Sequence, residues 1–154
     1  MKLRTSALTL AVCLVAAGVC FAASDAQMGT WKLNEAKSTL PTKARNSTVV
    51  YMAMGESVMV TIDGIDVNGS AVHSEWTGKF DGKDYPVTGD PTSDTRAYTW
   101  VDDHTLTFAG KKAGKVTISG KIVVSADGKT RTVTNTTTDA AGQPVTGTSV
   151  YDQQ

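Results

Sequence analysis

Beyond residue 28 the chain alternates apolar and polar positions in short runs. Val58, Val60 and Ile62 fall on one side of their run. Val72, Trp76 and Phe80 fall on one side of the next, opposite His73, Glu75, Thr77 and Lys79. Val116, Ile118, Ile122 and Val124 do the same against Lys115, Thr117, Ser119 and Lys121. A period of two is the mark of a strand with one dry and one wet face, and no later window keeps a helical period. The runs predict strands over 29–34, 47–54, 57–63, 70–80, 83–88, 95–101, 104–110, 115–125, 129–138 and 145–151. Asp63-Gly64, Asn68-Gly69, Asp81-Gly82, Ala113-Gly114, Asp127-Gly128 and Ala141-Gly142 separate them. Asn-Gly and Asp-Gly accept the positive φ of tight hairpins, so each pair predicts a turn. Short strands with turns about every 8–12 residues predict an antiparallel barrel or sandwich. Residues 35–46 (EAKSTLPTKARN) form the longest connection, which Pro41 keeps irregular or limits to one short helical turn.

The first 22 residues break this pattern. Lys2 and Arg4 precede the apolar run Ala7–Ala17, and Cys20-Phe21-Ala22 offers small residues at the −3 and −1 positions of a cleavage site. That is the layout of a secretory signal, which predicts an exported protein, periplasmic or extracellular, with one domain over 23–154. Cys13 and Cys20 both lie in the signal, so the exported domain carries no disulfide. Removal of Lys2 and Arg4 leaves 13 basic against 15 acidic residues, a net charge of −2. Such a mild balance, with no basic run, argues against nucleic acid or anionic membrane as a partner. Thr130, Thr132 and Lys121 on outward strand positions argue against an outer-membrane barrel, whose lipid face is apolar. No segment after the signal is apolar enough to span a membrane as a helix, and the domain is expected to be a monomer.

The two ends carry a family signal. Gly29-Thr30-Trp31-Lys32-Leu33 resembles the first strand of lipocalin-like (calycin) barrels, in particular the fatty-acid-binding branch. Val150-Tyr151-Asp152-Gln153 resembles that branch's closing strand, and Phe80 to Gly89 resembles a segment of small exported bacterial lipocalin-like proteins. The resemblance implies an all-β, up-and-down antiparallel barrel of about 8–10 strands, closed by pairing of its first and last strands and plugged at one end by Trp31. It also implies a small apolar or amphipathic ligand held in the interior. Two departures stand out. Residues 35–46 are too short for the helix pair that lids fatty-acid-binding proteins, and Ser149 stands where that branch places a carboxylate-holding arginine.

Candidate ligand-binding residues follow from the alternation. Trp76, Phe80, Tyr98, Trp100 and Tyr151 are aromatic residues placed to line a cavity or to pack a core. Arg96 and Arg131 are the arginines within the predicted strands. Turned inward, either one grips an anionic head group in place of the missing family arginine. Met52, Met54 and Met59 cluster around the Gly55 turn, where flexible thioethers suit a portal rim or irregular core gaps.

Catalysis is not expected. His73 and His104 sit on different strands or turns, and no second histidine or cysteine completes a metal set with Asp102-Asp103-His104. Those three read as solvated turn residues. Asp66, Asn68 and Glu75 fall at calcium-loop spacing, but Gly64 stands at the first position and a hairpin turn accounts for Asn68-Gly69. Neither a nucleophile elbow nor a phosphate-cradling glycine loop occurs, so no cofactor and no metal is predicted. The expected function is reversible binding of a small molecule. The alternative is a filled-core barrel or sandwich that acts through its outer surface as an interaction module of the cell envelope.

Overall fold

The computed structural model describes residues 25–139 and 141–154, so the predicted signal over 1–22 lies outside the described residues. Among those residues ten antiparallel strands close into a barrel in which each strand pairs with its neighbours in sequence. They are β1 (Gly29–Leu33), β2 (Arg45–Met54), β3 (Ser57–Ile65), β4 (Ala71–Gly78), β5 (Tyr85–Thr88), β6 (Thr95–Asp102), β7 (Thr105–Lys112), β8 (Lys115–Val124), β9 (Thr130–Thr138) and β10 (Pro144–Gln153). The ring closes where β1 meets β10, with Trp31 opposite Gln153 and Leu33 opposite Tyr151. Closure leaves no unpaired edge, as the all-β up-and-down reading requires. Among the described residues no helix is long and apolar enough to cross a membrane.

Hydrophobic alternation places the core inside the ring. Val49 and Tyr51 of β2, Val58, Val60 and Ile62 of β3, and Trp76 of β4 are all buried. Trp31 is fully buried, and its indole N–H donates to the Gln27 carbonyl at 3.0 Å. The Gln27 side chain is itself buried and donates to the His104 carbonyl at 3.1 Å, tying the short turn Asp25–Gln27 to the β6–β7 hairpin. Trp31 and that turn close the end of the barrel where β1 begins. The connection after β1 contains a single 3-10 turn, Glu35–Lys37, capped by the Asn34 side chain. It then returns to β10 through a bridge between Thr39 and Thr148.

Three expectations are corrected. Asp63-Gly64 is not a turn but part of β3, paired with Thr48 and Asn46 across a bulge at Ser47. A side-chain carbon on Gly64 would lie 2.1 Å from the Arg45 carbonyl oxygen, so the glycine serves a close backbone approach inside the ladder. Val116 leaves the dry face of β8 and is 57% exposed. The cause is a second bulge: Gly110 pairs with Ile118 and Lys111 with Val116, which leaves Thr117 extra and shifts the alternation by one. Finally, β4 stops at Gly78, so Phe80 reaches the interior from the β4–β5 connection and not from the strand.

Candidate functional site

One half of the interior is filled by aromatic rings. Trp76 lies 4.8 Å from Tyr98, 5.8 Å from Tyr85 and 6.1 Å from Phe80, measured between ring centroids. Phe80 meets Trp100 at 5.2 Å, and Tyr98 meets Phe108 at 6.1 Å. Most of these pairs are edge-to-face or tilted, the arrangement the ring quadrupole favours. Gly78 makes room for them, since a side-chain carbon there would lie 2.6 Å from both the Trp76 and Tyr85 rings. The Trp76 indole N–H donates to the Arg96 carbonyl at 2.9 Å, which leaves no orphan polar group at the centre of the cluster.

Arg96, the second residue of β6, points inward beside this cluster. Its Nη2 donates to Asp90 Oδ2 at 2.5 Å, and the two side chains are 10% and 8% exposed. Burial by itself would lower the Arg96 guanidinium. The neighbouring Tyr98 and Asp90 outweigh that and hold its pKa above the ordinary value.

Arg131, the second residue of β9, has a different setting. It is 3% exposed, and its Nη2 donates to the Tyr51 hydroxyl at 2.7 Å. The guanidinium carbon lies 4.6 Å from the Tyr51 ring centroid, 5.6 Å from that of Tyr151 and 6.0 Å from that of Trp31. Nε and Nη1 find no hydrogen-bond partner among the described residues. Burial pushes the Tyr51 phenol far above its ordinary value, against the pull of Arg131, and burial likewise raises Tyr151. Both phenols therefore stay neutral at physiological pH. The interior keeps a net positive charge surrounded by π faces, with the donors of two guanidinium nitrogens to spare.

The wall above Arg131 is more open than the aromatic half. Ile118 of β8, Val133, Asn135 and Thr137 of β9, and Ser149 of β10 share the inward register of Ile122, Arg131 and Tyr151, yet all five are only half-buried. Their side chains are small or polar. In contrast, Val60, Trp76, Tyr98 and Leu106 on the opposite wall are buried. The β8–β10 side of the interior is thus less fully enclosed than the aromatic half, and Arg131 lies at its β8–β9 hairpin end.

The structure brings the sequence-predicted residues into one continuous interior. Trp76, Phe80, Tyr98, Trp100 and Arg96 form its aromatic half, while Arg131 and Tyr151 form the other. Tyr51 joins them, 6.3 Å from Phe80 and 6.4 Å from Tyr98 by ring centroids and hydrogen-bonded to Arg131. Sequence reasoning passed over Tyr51, although its spacing from Val49 marks it as inward. It also passed over Asp90, a loop residue with no periodic signal. The methionines are placed differently from expectation. Met52 and Met54 lie on the outer face of β2 and Met59 on that of β3, so they neither fill the core nor rim its mouth. His104 is half-buried and its Nδ1 is enclosed, which corrects its reading as a solvated turn residue. His73 is exposed on the outer face between Asp63, at 2.7 Å, and Glu75, at 3.4 Å.

Together these features define a closed ten-stranded up-and-down barrel with a charged, aromatic-walled interior. No family model matches the chain, and no curated protein sequence matches it. Among solved structures it is similar to EF1p2_mFAP2b bound to DFHBI, at 13% identity and a TM-score of 0.48 over 86% of this chain and 98% of that one. It is also similar to mFAP1, a redesigned β-barrel bound to DFHBI, at 14% identity and a TM-score of 0.43 over the same shares of each chain. At these values the likenesses carry no functional weight, and the fold stands on the strand ladder itself.

Proposed function

We propose that this chain is an exported binding protein whose barrel holds a small amphipathic molecule, its anionic head on Arg131 and its apolar body along the aromatic wall. The observation that carries this reading is Arg131: a buried cation with two unpartnered guanidinium nitrogens. Leaving a charged donor unsatisfied in a low-dielectric interior is costly, so a carboxylate or sulfonate that accepts from Nε or from Nη1 gains part of what the folded chain alone forgoes. The half-buried inward residues of β8–β10 supply the approach, and the rings supply flat apolar surface. The terminal strands' resemblance to calycins and the signal-like segment 1–22 support the carrier role and the export. Binding of this kind involves no covalent chemistry. The filled-core reading draws support only from the aromatic half, where ring meets ring.

Native mass spectrometry of protein purified gently from its host tests this first. A discrete added mass that is lost on denaturation is expected. The second arm uses 8-anilinonaphthalene-1-sulfonate, which joins a sulfonate to an apolar body. It is expected to quench tryptophan emission in the native chain and to bind Arg131→Met at least about tenfold more weakly, the loss of one charge-assisted contact. Equal binding by both proteins, or a clean apo mass with no probe binding, sinks the proposal in favour of the filled-core module.

A further inference from the structure

The β2–β3 hairpin carries three methionines on its outer face. Met52 and Met54 stand two residues apart on β2, and Met59 of β3 lies directly across from Met52. Tyr51, Val58 and Val60 between them are buried, which fixes all three methionines outward. Met52 is 49% exposed and Met54 50% exposed, while Met59 is half-buried. The outward positions Thr130, Thr132 and Thr134 of β9 hold the β-branched polar residues a wet sheet face favours. Three long, unbranched apolar side chains gain little from packing there.

Their positions suit a different purpose. Directly opposed side chains in an antiparallel pair have Cβ atoms about 4.5–5.5 Å apart, and diagonal neighbours about 7–8 Å. A thioether sulfur sits two bonds beyond Cβ on a freely turning chain. The sulfurs of Met52, Met54 and Met59 therefore reach a common point above the hairpin. Thioethers are soft, neutral donors that select Cu(I) and similar ions over hard divalent cations. The nearest carboxylate at the hairpin tip, Glu56, is held by Lys79 Nζ at 2.7 Å. Among the described residues no group of three His, Cys, Asp or Glu side chains is placed to hold a metal, so harder ions meet no rival site.

We infer that Met52, Met54 and Met59 form a surface site for one soft monovalent ion, Cu(I) or its redox-inert analogue Ag(I). The site is independent of the interior and of the ligand proposed there. Its test is a titration of the full chain with Ag(I) in a Cys13→Ser/Cys20→Ser background, which removes the competing thiols. The methionine methyl groups are followed by NMR. The methyl signals of Met52, Met54 and Met59 are expected to shift together and saturate at one equivalent. Those of Met28, packed against the core, and the ring signals of His73 stay in place.

Even outer-shell partners of a metal are worth about 10–100-fold in affinity, so Met52→Leu/Met59→Leu is expected to weaken Ag(I) retention against free methionine by about tenfold or more. Leucine conserves volume on this exposed face, and an unchanged thermal midpoint shows that the fold is intact. Met54→Leu provides a second variant if the double change unsettles the hairpin. Undiminished Ag(I) binding by the variants overturns the inference. So does a response centred on His73, or an equal response to Zn(II).

Discussion

Arg96 and Arg131 are both buried arginines on inward strand positions, yet they are answered in opposite ways. Arg96 meets the carboxylate of Asp90, reached over a loop, and its charge is matched within the chain. Arg131 meets a neutral phenol and three ring faces, and two of its guanidinium nitrogens remain without partners. The first arrangement holds a structure together. The second holds a charge in readiness, because π faces and one hydroxyl tolerate a guanidinium without saturating it. Each arginine also keeps an unpartnered Nε among the described residues, so neither burial nor a spare donor alone separates a structural arginine from a binding one; the carboxylate beside Arg96, absent beside Arg131, does.

Breaking the matched side gives the largest effect. Asp90→Ala strands the Arg96 charge in the interior and is expected to cost about 3–5 kcal/mol in urea unfolding. A loss below about 1 kcal/mol would mean that Arg96 is solvated in solution and that the contrast is false. The unmatched side responds in the opposite direction. Arg131→Met replaces a poorly compensated buried cation by an apolar chain, so stability is expected to hold or to rise by about 1–4 kcal/mol while anion binding is lost. A marked loss of stability would instead class Arg131 with Arg96.

Tyr51→Phe sharpens the comparison. It removes the hydroxyl that accepts from Arg131, and a hydrogen bond to a charged group is worth about 1.5–3 kcal/mol. Tyr98 interacts with both Tyr51 and Arg96. A double-mutant cycle between Tyr51→Phe and Asp90→Ala is therefore expected to show a coupling of about 0.5 kcal/mol or more. Additive effects would mean that the two arginine sites are independent.

The smallest effect is the alkaline one. Burial raises Tyr51 and Tyr151, so above pH about 10 the unfolded chain loses phenolic protons that the folded chain keeps. The unfolded state then binds fewer protons, and stability, fully present below pH about 10, falls as pH rises further. Absorbance at 295 nm is expected to show these two phenols silent until the chain unfolds. If Tyr51→Phe leaves the alkaline slope of stability unchanged, Tyr51 does not contribute to it.

Much of this architecture is legible in the sequence, for reasons tied to particular residues. The alternation of Val58, Val60 and Ile62 against polar neighbours marks β3, and the Asp127-Gly128 and Ala113-Gly114 pairs mark hairpins. Gly29-Thr30-Trp31 and Val150-Tyr151 mark the two strands that close the ring. The same period-two reading grouped Arg96 with Tyr98 and Trp100 on one face but left open whether either arginine turns inward, which the burial of both decides. It misled at Val116, because a bulge inserts one residue and reverses every side chain beyond it without leaving a trace in composition, while the turn signal of Asp63-Gly64 misled because that glycine serves a close backbone approach inside the ladder.

Local chemistry thus determined the strands, the turns, the order of pairing and the inward parity of most side chains, since each depends on neighbours a few residues apart. Tertiary structure alone decided which arginine is neutralised. Asp90 reaches Arg96 from a loop, whereas Tyr51 reaches Arg131 across 80 positions of chain. Electrostatic matching depends on distance and burial in space, and neither is encoded in the period of a single strand.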